Sequence, residues 1–511
     1  MFNFFEKIIN YYKTAPKHGK NSKQNRKISK SLNENLIFFK KEFDQSADLA
    51  IRELKICNIP AAVITVDGLI DKNMLSNNVL KVIMGEEFRE LSEKDPEKTY
   101  EYLRDKAIAF PDQIEITTYE DAIILGTSGF ALLALEGSTR MLAIGVQGFS
   151  FRGIAEPTAE ASQRGPREGF VEPIRINITM IRRRMRNAKL KFEMLQSGTT
   201  SQTAVALCYI TDRVSSEILN EIKNRLNNAD LATITTSGCI SAYLEEEGDL
   251  SLFSSVGLTE RPDTVCGKIS EGRVAVLIDG SSTVLIVPYL FVENFHTIDD
   301  YSSRPYFATL NRILKFLAFF VATLLPGLYV GLGTFNPELF PGELLNKIAL
   351  SVGATPFSLM LETLTIHFIY EIMREAGLRL PQTLGHAVSI VGGLVIGDAA
   401  INSGLIGAPT LMVVALTAIC SYVIPTLYEP IAILRFLFII FGGLFGTWGI
   451  MILFSAVLIN ICSKSNFGIP FLSPISPFGA FGMRDTFIRA SWRTLSKGRG
   501  NIQTMPGAET D

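Results

Sequence analysis

Four ionisable residues carry the strongest chemical signal in this chain. Glu362, His367, Glu371 and Arg374 stand in a stretch otherwise dominated by Leu, Ile and Phe. Ionisable groups at membrane depth are costly and face a protein interior or water rather than lipid. On a helix His367 and Glu371 share a face at i,i+4, Arg374 joins them three residues further on, and Glu362 lies nearly opposite Glu371. Two readings of such a segment stay open. As an interfacial amphipathic helix, it would hold its charges among lipid headgroups. As the lining of a water-filled path, it would pass ions, and its acids would favour cations.

A second concentration of charge lies upstream. Arg164, Arg167, Arg175, Arg182, Arg183, Arg184, Arg186, Lys189 and Lys191 outweigh Glu160, Glu168 and Glu172. Such a block could grip phosphates, but no aromatic-rich nucleic-acid fold accompanies it and the net charge is only −2. No nucleic-acid partner is expected. A structural network with acids of the same or a neighbouring subunit fits better, with Arg164, Arg167, Glu168, Arg182 and Arg184 as its candidate residues; contact with anionic lipid is the other option. Signals for catalysis are poor. Ser197-Gly-Thr-Thr-Ser-Gln-Thr lacks the lysine and leading glycine of a phosphate-binding loop, and Gly126-Thr-Ser-Gly129 is not a nucleophile elbow. His18, His296, His367 and His386 show no ligand spacing, and the six cysteines form no CxxC pair. The chain is not read as an enzyme, and no cofactor or metal is expected.

The elements that must position these residues divide the sequence in two. Mean hydropathy is +0.24 over 511 residues, but that average joins a soluble-type region to an apolar one. Residues 1–35 read as a basic, solvated tail, with seven Lys or Arg and no acid between Lys13 and Lys30. Residues 36–150 read as a first α/β subdomain: helical spacing over 43–57, a strand over 61–66 ending in an Asp67-Gly68 turn, and strands at 122–125, 130–135 and 141–146, the last two joined like a hairpin. Residues 151–310 hold the basic segment and a second α/β subdomain. It has a buried strand at 203–210, a helix over 215–228, and strands flanking the Asp279-Gly280 turn. Strands alternating with helices predict a mixed or parallel sheet.

Residues 311–463 read as an α-helical, polytopic membrane domain. A spanning helix needs about 20 apolar residues, and 313–333, 387–405, 411–425 and 436–461 are the candidates, with a broken segment at 344–381. Lys464, Arg484, Arg489, Arg493, Lys497 and Arg499 follow the last span and Arg304 and Arg312 precede or open the first. The positive-inside rule therefore places both ends in the cytoplasm, with 464–511 a cytoplasmic tail. Crossings must then be even in number: four if 344–381 re-enters or lies along the surface, the favoured count, and six if it crosses twice. Glycines four apart (Gly327 and Gly331, Gly393 and Gly397, Gly442 and Gly446) allow close helix packing, within one bundle or between copies.

Several strings taken together resemble one family. They are Gln163-Arg-Gly-Pro-Arg-Glu-Gly-Phe170 with Glu172, the Arg-rich run from Asn177 to Arg186, Asp279-Gly280, Phe291-Val-Glu-Asn-Phe295, Thr355-Pro-Phe, Arg374-Glu-Ala-Gly-Leu-Arg-Leu-Pro381 and Gly468-Ile-Pro-Phe-Leu-Ser-Pro474. The chain is identified on these as similar to the A subunit of bacterial spore germinant receptors, the GerA family. That resemblance implies a place in the spore inner membrane and a role in nutrient-triggered germination. It implies a transporter-like B subunit and a lipoprotein C subunit as partners, and self-association into a ring that conducts monovalent cations. On this reading Glu362, His367, Glu371 and Arg374 are candidates for the pore or its gate. Two other classes compete. A secondary transporter would show paired broken helices in repeated halves, and only one broken segment is seen. A non-conducting membrane scaffold that recruits signalling partners would need no pore.

Overall fold

The computed structural model describes residues 26–84, 95–107, 112–148, 157, 160, 162, 164–246, 251–380, 397–495 and 500–509. The basic tail up to residue 25, Gln163, His18, His386, Gly393 and most of the expected span 387–405 lie outside the described residues. The rest forms two compact units. The first draws on the described residues up to 161 with 166–244 and 258–287; the second on 162–165, 245–257 and 288–511.

The first unit holds two five-stranded sheets. Helix α1 (Leu32–Glu42) buries Leu32, Leu36 and Phe39, the i, i+4, i+7 stripe of an amphipathic helix. Strands β1 (Leu49–Ile56) and β2 (Ile59–Val66) follow as a hairpin whose register runs from Leu49 opposite Val66 to Ile56 opposite Ile59. The expected helix over 43–57 is therefore mostly strand. Its two-residue turn, Cys57-Asn58, has positive φ at both positions (49° and 65°), the twist that suits a tight hairpin. That local pairing overrides the helical spacing of the apolar residues. Strand β3 (Gln113–Ile116) precedes α2 (Tyr119–Gly126), which occupies the expected strand at 122–125. Thr118 caps α2 by accepting from the Asp121 amide, and Glu120 and Asp121 suit its positive end. Strands β4 (Ala131–Leu135) and β5 (Met141–Ile144) form the expected hairpin.

The second sheet follows α3 (Ile174–Arg184). It comprises β6 (Leu190–Ser197), β7 (Thr203–Ile210), β8 (Gly257–Thr259), β9 (Val274–Ile278) and β10 (Val284–Val287), with helices α4 (Ser216–Asn227), α5 (Ser237–Leu244) and α6 (Pro262–Ile269) between β7 and β9. The strand orders are β1-β2-β4-β5-β3 and β6-β7-β9-β10-β8. One topology is thus used twice. Both sheets are antiparallel, which corrects the mixed or parallel expectation. The physical reason is the short connections: hairpins close β1–β2, β4–β5, β6–β7 and β9–β10, and a tight loop can only join antiparallel neighbours. The first sheet is buried on both faces. Ala62, Ile64, Leu132 and Ala134 pack on one side, and Ala61, Val63, Leu133 and Leu135 on the other, so its central strands read as continuous apolar runs.

The second unit is largely helical. Helix α7 (Pro305–Phe335) contains the expected span 313–333, α8 (Gly342–Gly353) and α9 (Leu359–Arg379) build the broken segment, α10 (Ala408–Tyr422) covers most of 411–425, and α11 (Tyr428–Ser463) contains 436–461. Helix α7 and the stretch Pro425–Ser463 are long and apolar enough to cross a membrane; α10, at 15 residues, is shorter. At about 1.5 Å per residue α10 is near 22 Å long, against a hydrocarbon core of about 30 Å. Helices α7 and α11 meet through their glycine pairs. A Cβ on Gly327 would come within 2.6 Å of the Phe438 carbonyl oxygen, and one on Gly442 within 2.5 Å of the Gly327 carbonyl oxygen. Gly446 interrupts α11 with φ 64° and ψ −147°, a conformation open essentially to glycine alone.

Candidate functional site

Helix α9 opens after Pro356, and Ser358 caps it by accepting a hydrogen bond from the Leu361 amide. Its first turn carries Glu362, and Thr363, Ile366 and His367 complete the face turned into the helical unit. Glu362 and His367 are both 0% exposed. Neither is therefore positioned for lipid headgroups; the exposed charges of α9 are Glu375 and Arg379 near its far end, paired with each other at 2.7 Å.

The ionisable side chains fall into two places. Glu362 Oε1 accepts from the Gly407 amide at 2.7 Å. Gly407 is the N-cap of α10, so the carboxylate sits at the positive end of a helix dipole. Glu362 Oε2 is buried without a hydrogen-bond partner, and Glu362 makes no ion pair among the described residues. Close by, the Tyr329 and Thr410 hydroxyls lie 3.2 Å apart. The chemistry here is that of a sequestered carboxyl group, oriented by one backbone amide with one oxygen to spare.

The second place gathers His367, Glu371 and Arg374, the i, i+4, i+7 set expected from spacing. The Tyr428 hydroxyl donates to the Glu371 carboxylate at 2.7 Å, and Arg374 Nε donates to it at 3.1 Å. The Arg374 guanidinium also stacks 4.0 Å from the Tyr428 ring centre. Arg435 of α11 completes the group. It is 0% exposed, its Nη1 lies 3.5 Å from His367 Nδ1, and its Nη2 lies 3.7 Å from Glu371 Oε1. His367 Nε2 and Arg435 Nε have no hydrogen-bond partner. Sequence reasoning missed Arg435. The signal was present, since it is the sole charge between Glu429 and Lys464; a lone arginine in so apolar a helix must find an internal acceptor.

The basic block of the first unit is dispersed rather than gathered. Arg182 is buried and pairs with Asp48 at 2.7 Å, donating as well to the Asn187 and Leu190 carbonyls. Glu168 accepts from both Arg183 and Arg184. Partial burial alone would raise the Glu168 carboxyl, but these two guanidiniums outweigh it and hold it below the ordinary range. Arg164 and Arg167 are exposed, and in the second unit the Arg164 amide donates to Asp299 at 3.0 Å.

A duplicated antiparallel α/β unit is followed by apolar helices that sequester charge, two of them long and apolar enough to cross a membrane. The family described as "Bacillus/Clostridium GerA spore germination protein" matches residues 38–499. The chain is 37% identical over 473 residues to spore germination protein KA of Bacillus subtilis (strain 168), covering 91% of this chain and 85% of that protein. It is 32% identical over 487 residues to the uncharacterized membrane protein YfkQ of the same organism, covering 95% and 94%. The N-terminal domain of the A subunit of the Bacillus megaterium spore germinant receptor GerK3 aligns with 53% of this chain and 99% of that one, at 27% identity and a TM-score of 0.43. The chain belongs to the GerA family. Its role therefore lies in spore germination.

Proposed function

We propose that the chain is the conducting subunit of a nutrient-gated receptor in the spore inner membrane. It acts with a transporter-like B subunit and a lipoprotein C subunit, and copies of it assemble around a path for monovalent cations. The observation that carries this reading is the pair Glu362 and His367: both fully buried among apolar helices, each with a polar atom left unpartnered. Burying unsatisfied polar groups costs about 1–3 kcal/mol each, a cost that a purely structural helix would avoid with apolar residues. The arrangement suits a closed state. Arg435 lies against His367 and Glu371, so its positive charge opposes cation passage at that end. Opening would draw α9 away from α10 and α11, wet Glu362, and turn its carboxylate toward the path.

The test is cation efflux from vesicles holding the full chain with its B and C partners, with and without nutrient. Nutrient-triggered efflux that falls with Glu362→Gln or His367→Ala supports the channel. Absence of efflux despite assembly and nutrient binding would instead make the chain a non-conducting scaffold.

A further inference from the structure

A second polar site lies at the other end of α7, away from the cluster just described. An open hollow of about 400 Å³ is lined by residues that include Tyr301, Ser303, Arg304, Arg489, Trp492 and Arg493, with no carboxylate in its wall. The acids nearest to it in the chain have partners of their own: Asp300 and Asp485 both pair with Arg312, at 3.1 and 2.8 Å, and Asp299 accepts from the Ser162 hydroxyl and the Arg164 amide. Arg489 is 1% exposed. One of its terminal nitrogens donates to the Tyr301 carbonyl at 3.2 Å, its Nε has no hydrogen-bond partner, and it forms no ion pair among the described residues. The guanidinium is flanked instead by the Trp492 and Tyr301 rings, at 5.0 and 5.9 Å. A buried cation without a counter-charge is unfavourable unless an anion completes it. The hollow also meets the start of α7, where Arg304 is the N-cap but supplies no side-chain cap and Pro305 follows, so the first-turn amides add positive potential.

We infer that this hollow binds the phosphate of an anionic phospholipid at the cytoplasmic surface of the bilayer. The inference rests on the reading that α7 crosses the membrane. Trp492 and Tyr306 are 59% and 68% exposed, and amphipathic rings of this kind favour the headgroup level. Along α7 beyond the hollow, Phe307, Leu310, Ile313, Leu314 and Leu317 present apolar side chains 49–57% exposed. A phosphate seated against Arg489, Arg304 and Arg493 would thus lay its acyl chains along an apolar helix side. That continuity selects a lipid phosphate over a soluble one, and a wall that carries arginines and no carboxylate selects a lipid of net negative charge.

The experiment measures binding of short-chain phosphatidylglycerol, short-chain phosphatidylcholine and inorganic phosphate to the detergent-solubilised full chain, by native mass spectrometry. A parallel flotation assay with vesicles scores membrane association. Phosphatidylglycerol is expected to bind best. Arg304→Gln with Arg493→Gln, both exposed positions, is expected to lower its affinity roughly tenfold or more, since hydrogen bonds to charged groups are the strong ones. Arg489→Gln is expected to lower it further, and Arg489→Lys to restore part of the loss. Equal binding of the two lipids, or affinity untouched by the exposed pair of substitutions, would overturn the proposal. So would inorganic phosphate binding as tightly as the lipid, which would make this a soluble-anion site. Failure of the chain to float with vesicles would refute the membrane reading itself, whereas normal flotation without lipid selectivity would refute the site alone. Neither outcome depends on ion conduction.

Discussion

The Glu362 carboxylate has two properties that substitution can separate: its charge and its hydrogen bond to the Gly407 amide. In Glu362→Gln a carboxamide oxygen can keep the bond that now spans 2.7 Å, and the amide group replaces the unpartnered Oε2. A hydrogen bond to a charged group contributes about 1.5–3 kcal/mol and a neutral one about 1. The glutamine therefore forfeits about 0.5–2 kcal/mol at Gly407, offset in part because a buried charge is removed. Net stability should change by no more than about 1 kcal/mol. Glu362→Ala is different. It leaves the Gly407 amide buried and unsatisfied, at about 1–3 kcal/mol, and opens a hollow at a fully buried position, for a total of about 2–5 kcal/mol. Thermal unfolding of the purified chain should place the glutamine variant near the parent and the alanine variant well below it. Nutrient-triggered efflux should fall in both. If the two variants lose equal stability, the Gly407 bond is not what the carboxylate provides in the fold. If Glu362→Gln assembles and conducts like the parent, the charge has no part in ion passage.

Three further outcomes follow from the structure. Arg182→Ala strands Asp48, which is 5% exposed, without its counter-charge, and should destabilise the first unit by about 3–5 kcal/mol, read as faster hydrogen exchange across Leu190–Ser197; pairing it with Asp48→Asn should recover part of that. Gly327→Ala or Gly442→Ala forces a methyl against backbone within 2.6 Å or 2.5 Å and should cost about 1–3 kcal/mol by overpacking, while Gly353→Ala, with nothing within 4 Å, should be neutral or mildly stabilising in a denaturation scan. Hydrogen bonds from the Thr235 backbone, then from Thr236, lower the Cys239 thiol to about 7, whereas burial pushes Cys266 up to about 12 and Cys208 well above its ordinary value. Since the thiolate is the nucleophile, iodoacetamide at pH 7.5 should label Cys239 ahead of Cys266 and Cys208, and its rate should fall as pH drops below 7.

What the sequence determined by itself was whatever depends on local composition. The apolar runs at 61–66, 203–210 and 274–278 announced buried strands because both faces of each are covered. The lengths of 313–333 and 436–461 announced helices long and apolar enough to cross a membrane. The Arg-Gly-Pro-Arg-Glu-Gly-Phe and Arg-Glu-Ala-Gly strings announced the family. Helical spacing alone placed His367, Glu371 and Arg374 on one face. Tertiary structure decided what depends on partners distant in the chain. Residues 49–56 became strand because β2 pairs along their whole length, and β2 is itself held on its other edge by β4, far along the chain. The sheets became antiparallel because tight turns join their neighbours. Arg435 reached His367 from 68 residues away, and Glu362 found its amide donor 45 residues on. No local window contains such pairs. They arise because burying a charge or an amide demands a complement, and only the packed fold determines which one stands within reach.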